Sequence, residues 1–327
     1  MLHLLRRIGF YILSLWVSIT LNFFLPRLAP GDPAQIYIAR FHGRIPPQAL
    51  EALRVQFGVS SDPLWLQYFQ YLNALLHGNL GIAISYFPTP VADVISQNMP
   101  WTLLLAGVSV VISFLLGTLM GVIAAWKRGG IFDSVFSPLM TLFSSIPYFW
   151  LALMALYLLA FVFTIFPLSG GYDPSLAPGW NLDFIWDATY HSILPSLTIV
   201  ISSISGWMLG MRNAMISTLS EDYVLMAEAK GLSQWRVMFT YAARNAILPN
   251  VSGFALALGF VISGQLLTEV VFSYPGLGFA LLKAVQQADY SLMQGIFLLI
   301  TVAVLVANLL ADLLYVLLDP RAREERS

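Results

Sequence analysis

Long uncharged apolar runs dominate the hydropathy pattern of this chain. A helix that crosses a membrane needs roughly 20 apolar residues, and six segments approach or exceed that length: Ile8–Leu25, Trp101–Trp126, Ser134–Tyr172, Ser192–Met211, Asn245–Thr268 and Tyr290–Ala311. The third run lacks charge for 39 residues, but a turn near Pro147 would leave only about 12 residues before it, too few to span. We therefore predict one long span there, tilted or kinked at Pro147, and six transmembrane helices in all.

The first apolar run could instead belong to a cleaved signal peptide. Its 18 residues exceed a typical signal-peptide core, and Arg27-Leu28-Ala29-Pro30 lacks the small-x-small pattern of a cleavage site. We predict a retained helix, so that residues 1–28 form a short terminus and the first span.

The connections between the runs differ greatly in length. Residues 29–98 are too many for a structureless connection, and they predict two short amphipathic helices. One begins at Pro46-Pro47 and stops at Gly58, and the other carries Leu64 to Leu76 and ends at His77-Gly78. We predict a small helical outer subdomain, which either packs the transmembrane helices or handles a substrate.

Composition agrees with a membrane protein. The chain is 58% hydrophobic and 10% charged, whereas soluble domains carry about 25% charged residues. A net charge of −1 argues against a nucleic-acid partner, and the absence of cysteine excludes disulfides and thiolate metal sites. The predicted fold class is all-α and polytopic, with a core of transmembrane helices over residues 99–318 and a tail over 319–327.

The distribution of Lys and Arg predicts the orientation of the chain. Six spans place both termini on one side, which then holds eleven of the sixteen basic residues. Four of the other five lie in the long segment 29–98, where the positive-inside rule carries little weight. Both termini are predicted to be cytoplasmic.

The cytoplasmic segment 212–244 has an unusual pattern. A short helix carrying Val224, Leu225 and Ala227 is stopped by Gly231, and Ser233 is placed to cap a second helix that ends before Pro249. Two short helices joined by a glycine would suit docking into a groove of another protein. An ordinary long loop with capped helices is the alternative.

The residues of this segment resemble a known motif. The run Asp222-Tyr223-Val224…Ala227-x-Ala229-Lys230-Gly231-Leu232-Ser233…Arg244-Asn245-Ala246-x-Leu248-Pro249 is similar to the coupling motif of ABC importer permeases in the dipeptide/oligopeptide/nickel branch. Lys230 replaces the second alanine of the wider family pattern. Three further stretches resemble the same family: Ala29–Pro33, Thr268–Gly278 and Asp312–Arg321.

This resemblance implies a function and a set of partners. It implies a permease subunit of the bacterial or archaeal cell (inner) membrane that works with a second permease, two ABC ATPase subunits or domains and an extracytoplasmic binding protein. The outer subdomain would face the binding protein, and ATP and Mg would be bound by the ATPases, with no cofactor in this chain. The implied ATPase-coupling residues are Asp222, Tyr223, Ala227, Glu228, Ala229, Lys230, Gly231 and Leu232.

The sequence also argues against catalysis in this chain. None of its three lysines follows a glycine, so there is no P-loop, and its four histidines lack metal-ligand spacing. We predict a transport subunit rather than an enzyme, with no metal site. Glu269 and Asp312, near the ends of their spans, are interpreted as holding loops or helix ends rather than touching substrate.

Other polar and small residues in the spans have two interpretations. Ser263, Gln265 and Asn308 could line a polar solute path or form hydrogen bonds between helices. For Gly117 and Gly121, close helix packing is the favoured explanation.

Two questions remain open at this stage. A self-contained secondary transporter is the alternative class, although no internal repeat or central charge of the usual kind is visible. The solute predicted by the resemblance is an oligopeptide, and oligosaccharides such as cello-oligosaccharides are the alternative, which the 9 Trp and 14 Tyr would also suit.

Overall fold

The computed structural model describes residues 2–28, 62–261 and 266–318, and within them the chain is helical. The helices are α1 (Leu2–Leu28), α2 (Leu64–Leu76), α3 (Val91–Trp126), α4 (Ile131–Ser145), α5 (Tyr148–Ala155), α6 (Leu182–Leu219), α7 (Asp222–Ala229), α8 (Gln234–Arg236), α9 (Arg244–Ala246), α10 (Leu248–Phe260), α11 (Leu266–Val271), α12 (Leu277–Gln286) and α13 (Tyr290–Leu318). Wider π-helical turns extend α5 over Leu156–Val162 and join α8 to α9 over Val237–Ala243. The predicted all-α membrane fold is confirmed.

The helices differ in whether they are long and apolar enough to cross a membrane. Among the described residues, α3, α6 and Tyr290–Leu310 of α13 are each long and apolar enough to cross a membrane. The pair α4 and α5 adds a fourth if it counts as one span, while the apolar part of α1 (Gly9–Leu25) and α10 are shorter. The count of six spans therefore stays a prediction.

The predicted kink at Pro147 is a sharp break. The chain bends by 96° between Ile131–Ser145 and Tyr148–Val162, and Pro147 occupies the N-cap position of α5. Proline lacks an N–H and clashes with the preceding turn, so the first helix ends before it. The long uncharged run is thus two short helices rather than one tilted rod.

The first compact unit comprises residues 1–102, 262–266 and 275–306. In it, α2 packs on α1: the Tyr68 ring lies 5.3 Å from that of Phe23, and its hydroxyl lies 2.7 Å from Oγ1 of Thr20. The structure thus contains the predicted helix from Leu64 to Leu76, whereas the predicted helix over 46–58 lies outside the described residues.

The start of α3 differs from the sequence-based boundary. We expected the outer segment to run to residue 98, but one helix continues from Val91 to Trp126. Within this helix the side chain of Asn98 is satisfied locally, since Nδ2 donates to the carbonyl of Val94 at 2.7 Å.

The second compact unit comprises residues 103–261, 267–274 and 307–327. Its central contact is the close approach of α3 to α6, where a Cβ added at Gly117 would lie 2.6 Å from Cβ of Trp207, and one at Gly121 would lie 2.5 Å from the carbonyl oxygen of Met208. The interpretation of this glycine pair as a packing device is confirmed.

The loop after α11 is also fixed within this unit. The N–H of Tyr274 donates to the carbonyl of Glu269 at 2.8 Å, and its hydroxyl lies 2.9 Å from Oγ of Ser192. Burial raises the pKa of Tyr274 to about 12, so the phenol stays neutral at physiological pH. Glu269 itself is fully buried.

Candidate functional site: the α7 segment

Helix α7 contains five of the eight predicted coupling residues and has a well-defined end. The N–H of Gly231 donates to the carbonyl of Glu228 at 2.8 Å, and the N–H of Leu232 donates to that of Ala227 at 3.4 Å. This pair of bonds is the Schellman arrangement, which places the residue after the cap in the left-handed region. Gly231 has φ +71°, as the sequence predicts for a glycine stop.

The glycine has room around it. A Cβ at Gly231 would meet nothing within 4 Å. The left-handed conformation alone therefore requires glycine here, and no close approach within this chain contributes to that requirement.

One face of α7 is fixed to the rest of the molecule. Val224 and Ala227 are buried in a hydrophobic cluster, which we call the coupling cluster. Its other buried members come from the ends of α3 and α6, from the chain between α8 and α9, and from α9 itself: Val122, Ala125, Met211, Met215, Val237, Met238, Ala242, Ala243 and Ala246. Burial of this kind stabilises by about 25 cal/mol per Å² of apolar surface, so α7 is held by packing.

The opposite face of α7 is open. The exposed residues include six of the eight predicted coupling residues: Asp222, Tyr223, Glu228, Ala229, Lys230 and Gly231. Leu232 is half-buried against the coupling cluster, and Ala227 lies within it. Ala227 thus holds the helix and does not face outward.

Two exposed apolar residues were missed by the sequence analysis. Met226 is 57% exposed and Leu225 is 51% exposed; the sequence analysis named Leu225 among the apolar residues of this helix but predicted neither side chain to face outward. Helical spacing carries the signal: the i, i+3 pair Val224 and Ala227 defines the inner face, and Leu225 and Met226 fall between these positions, on the outer side.

The predicted cap of the second helix is only half correct. Ser233 occupies the N-cap position of α8 and its carbonyl accepts from the N–H of Val237 at 3.0 Å, but its side chain makes no capping bond. The helix then widens into a π-helical stretch and ends at Ala246, before Pro249 as predicted, and Pro249 lies in the first turn of the next helix, α10. Proline at that position needs no N–H partner.

The predicted solute-path residues are only partly visible. Ser263 and Gln265 lie outside the described residues. Asn308 is half-buried on α13. The neighbouring residue Ala307 packs so closely against Gly259 of α10 that a side chain at Gly259 would overlap the Cβ of Ala307. In the described ranges, no group of His, Asp and Glu could hold a metal ion.

Comparison with known proteins agrees with this architecture. Residues 117–324 match the family model of the binding-protein-dependent transport system inner membrane component, and residues 1–106 match the N-terminal model of the same membrane components. These are multi-pass permeases of ABC importers. The chain belongs to this family, and it is a transport subunit rather than an enzyme.

The chain is similar to dipeptide permeases over its whole length. It is 34% identical to the dipeptide transport system permease protein DppB of Escherichia coli K12, covering 99% of each chain. It is 30% identical to DppB of Lactococcus lactis, covering 98% of this chain and 99% of the relative. It is also 34% identical to the di/tripeptide permease of Pseudomonas aeruginosa, covering 98% of each.

Proposed function

We propose that this chain is the permease subunit through which α7 couples ATP hydrolysis on partner ATPases to solute import. The observation that carries the proposal is the two-sided construction of α7: Val224 and Ala227 anchor it, and Tyr223 and Met226 remain exposed. An amphipathic helix fixed on one side can transmit a push received on the other. Since this chain has no P-loop, the nucleotide and its Mg are assigned to the partners.

The proposed assembly contains four kinds of component. A second permease completes the path, two ATPase subunits or domains dock on the α7 segments, and a binding protein delivers the solute on the other side of the membrane. The family supports such partners in general. Residues 29–98 would face the binding protein, and residues 212–244 would face the ATPases.

The coupling experiment substitutes exposed residues, because such substitutions should leave the fold intact. Met226→Glu should weaken association with the ATPase subunits and abolish uptake, because it places a charge where an apolar contact is proposed. Leu182→Glu is the matched control, since Leu182 is 84% exposed at the start of α6, whereas α7 packs on the other end of that helix. Normal ATPase copurification and normal uptake by Met226→Glu would refute the docking role.

A second variant tests the turn. Gly231→Val forces a β-branched residue into the left-handed region, at a cost of about 1–2 kcal/mol. We expect the permease to insert in the membrane, but with reduced ATPase association and transport. Uptake equal to that of the wild type would contradict the assignment of the Gly231 turn to coupling.

Peptides are the proposed solute. The relatives compared above are named for dipeptides or for di- and tripeptides, which favours peptides over oligosaccharides. A binding assay on the cognate binding protein, with dipeptides and cello-oligosaccharides in parallel, distinguishes the two. Selective binding of the oligosaccharide would reject the peptide assignment.

The solute path is proposed to run between this chain and its partner permease, lined by Ser263, Gln265 and Asn308. Polar uncharged side chains can bond a hydrated solute without the cost of a buried charge. Cysteines placed at these positions in the cysteine-free chain should react with aqueous thiol reagents, at rates that change when ATP is trapped. Unreactive cysteines in every nucleotide state would assign the residues to helix packing.

A further inference from the structure

A carboxylate at the start of α4 is fully bonded by three different parts of the second compact unit. Arg212 of α6 donates to Asp133 through two atoms, Nε to Oδ1 at 2.6 Å and Nη2 to Oδ2 at 2.9 Å. Oγ of Ser137 donates to Oδ1 at 2.7 Å, and the N–H of Gly129 donates to Oδ2 at 3.0 Å. Each carboxylate oxygen therefore accepts two hydrogen bonds.

The geometry makes this a rigid connection. Asp133 is only 6% exposed, and the Arg212 side chain is 21% exposed. The planar guanidinium matches a carboxylate through two parallel bonds, which fix orientation as well as distance. Apolar helix contacts alone define rotation and register less strictly, because their energy is non-directional.

The position of Arg212 connects this pair to α7. Met211 and Met215, both fully buried, belong to the coupling cluster that holds Val224 and Ala227. Arg212 lies between these two methionines on the last turns of α6. The pair therefore joins α4 to the part of α6 on which α7 is seated.

Further along α4, apolar packing continues the same contact. Met140 of α4 is buried in a cluster with Ala124 of α3 and Met208 of α6. A movement of the α6 end would consequently carry the whole of α4 with it as long as the Asp133–Arg212 pair stays closed. At its other end α4 leads into the 96° bend.

We propose that Asp133 and Arg212 are positioning residues of the transport cycle, which keep α4 moving as one body with the α7-bearing end of α6. This inference rests on the proposed function of α7. The pair stays closed throughout the cycle, and its role is to pass displacement of α7 to the bent helix pair α4–α5. It touches neither nucleotide nor solute.

The first test separates coupling from stability. Asp133→Asn removes the charge of the acceptor, and Arg212→Lys keeps the charge but removes the planar fork. Asp183→Asn, at an exposed position in the first turn of α6, is the control. The complete complex is reconstituted with its ATPases and binding protein, and thermal stability, ATP hydrolysis with and without loaded binding protein, and solute imported per ATP are measured.

The proposal predicts a specific pattern. Both variants should assemble, while stimulation of hydrolysis by the binding protein and solute imported per ATP each fall about tenfold, within the range of ordinary coupling energies. Asp183→Asn should leave both ratios unchanged. Lower thermal stability with both ratios intact would make the pair purely structural and overturn the proposal.

A covalent tie provides the second test. Asp133→Cys combined with Arg212→Cys should lose coupling, and joining the two thiols with a short bifunctional reagent should restore it, because a closed connection is what the cycle needs. Each single-cysteine variant, treated in the same way, should stay uncoupled. If the cross-linked complex remains uncoupled, the proposal that the pair stays closed throughout the transport cycle is wrong.

The outcomes also separate this inference from the proposed function. A wild-type complex in which binding protein never stimulates hydrolysis would contradict the proposed function itself. Normal coupling in the wild type together with normal coupling in both Asp133→Asn and Arg212→Lys would contradict only the role of the pair.

Discussion

Gly121 is the residue at which the backbones of α3 and α6 come closest in the second compact unit. A methyl group there would lie 2.5 Å from the carbonyl oxygen of Met208 and 2.7 Å from Cβ of Met211. Lipid supplies no hydrophobic force between helices, so such pairs depend on close packing of small residues. The absence of side chains at Gly121 and at Gly117 therefore allows the two helices to pack this closely.

Gly121→Ala should push α3 and α6 apart. We expect a loss of about 1–3 kcal/mol, typical of inserting a methyl group into a filled contact, and it should appear as a lower thermal unfolding temperature in detergent. Gly206→Ala is the control, because a Cβ at Gly206 of α6 meets nothing within 4 Å. An equal effect of the two substitutions would contradict the packing role.

The sequence predicts the role of a single residue best when the residues that determine this role are near it along the chain. The stop at Gly231 was predictable, because a glycine after an apolar helical run is a local signal. The Asp133–Arg212 pair was not, since the two residues are 79 positions apart and neither belongs to a recognisable motif. Only the packing of α4 against α6 brings them together.

At the scale of elements, the start of α13 shows how a buried charge can organise a helix end. Oδ1 of Asp289 accepts from the N–H of Leu292 at 3.0 Å, and Oδ2 accepts from the N–H of Ser85 at 2.8 Å. The first bond satisfies an N–H that the first turn of the helix leaves without a partner. The second fixes the short 3₁₀ turn Ile84–Tyr86 to the same point.

This arrangement predicts a pH dependence of stability. Burial raises the pKa of Asp289 above its usual 3.8, although both N–H bonds oppose the rise. The folded protein holds this proton more tightly than the unfolded chain, so the contribution of Asp289 to stability grows as pH falls from above its raised pKa towards 3.8. Thermal stability of the wild type, measured relative to Asp289→Asn, should therefore increase on acidification.

The comparison with Asp289→Asn isolates this group. The other carboxylates titrate alike in both proteins, and asparagine keeps one oxygen for the N–H of Leu292. A difference in unfolding temperature that stays constant between neutral pH and pH about 4, or shrinks on acidification, would contradict a raised pKa.

Elements were predictable where apolar periodicity is long and ends at a clear stop signal. The bounds of α2 and α7 follow such signals. The early start of α3 was not predictable, because residues typical of loops lie inside its first turns and are satisfied within the helix. The π-helical turns after α5 and α8 also leave no pattern in the sequence, since they adjust a helix to its neighbours.

At the scale of the whole molecule, the polytopic helical class followed from composition, because this chain is 10% charged whereas soluble domains carry about 25%. The number of crossings did not, since the apolar part of α1 is near the lower limit of length for a span and α10, with 13 residues, is below it. The orientation depends on short connections rich in Lys and Arg, above all Lys127-Arg128 after α3.

Reporter fusions can test the orientation. With both termini cytoplasmic, a fusion at Gly43 should report the outer side and one at Gly129, just after Lys127-Arg128, the cytoplasmic side. A periplasm-active and a cytoplasm-active reporter, each fused at both positions, give complementary signals. The same side at both positions would reject the six-span arrangement.

The bend between α4 and α5 has a consequence for the surroundings of this chain. Where a helix breaks, carbonyl groups lose their partners in the next turn, and hydrocarbon can offer them none. Leu142, Ser144, Ser145, Pro147 and Trp150 around the bend are nevertheless exposed on the isolated chain. At the depth of the bilayer, carbonyl groups freed by such a bend need water or another polypeptide as a partner. We therefore expect the surface beside the bend to face a neighbouring protein or a water-filled cavity rather than lipid tails.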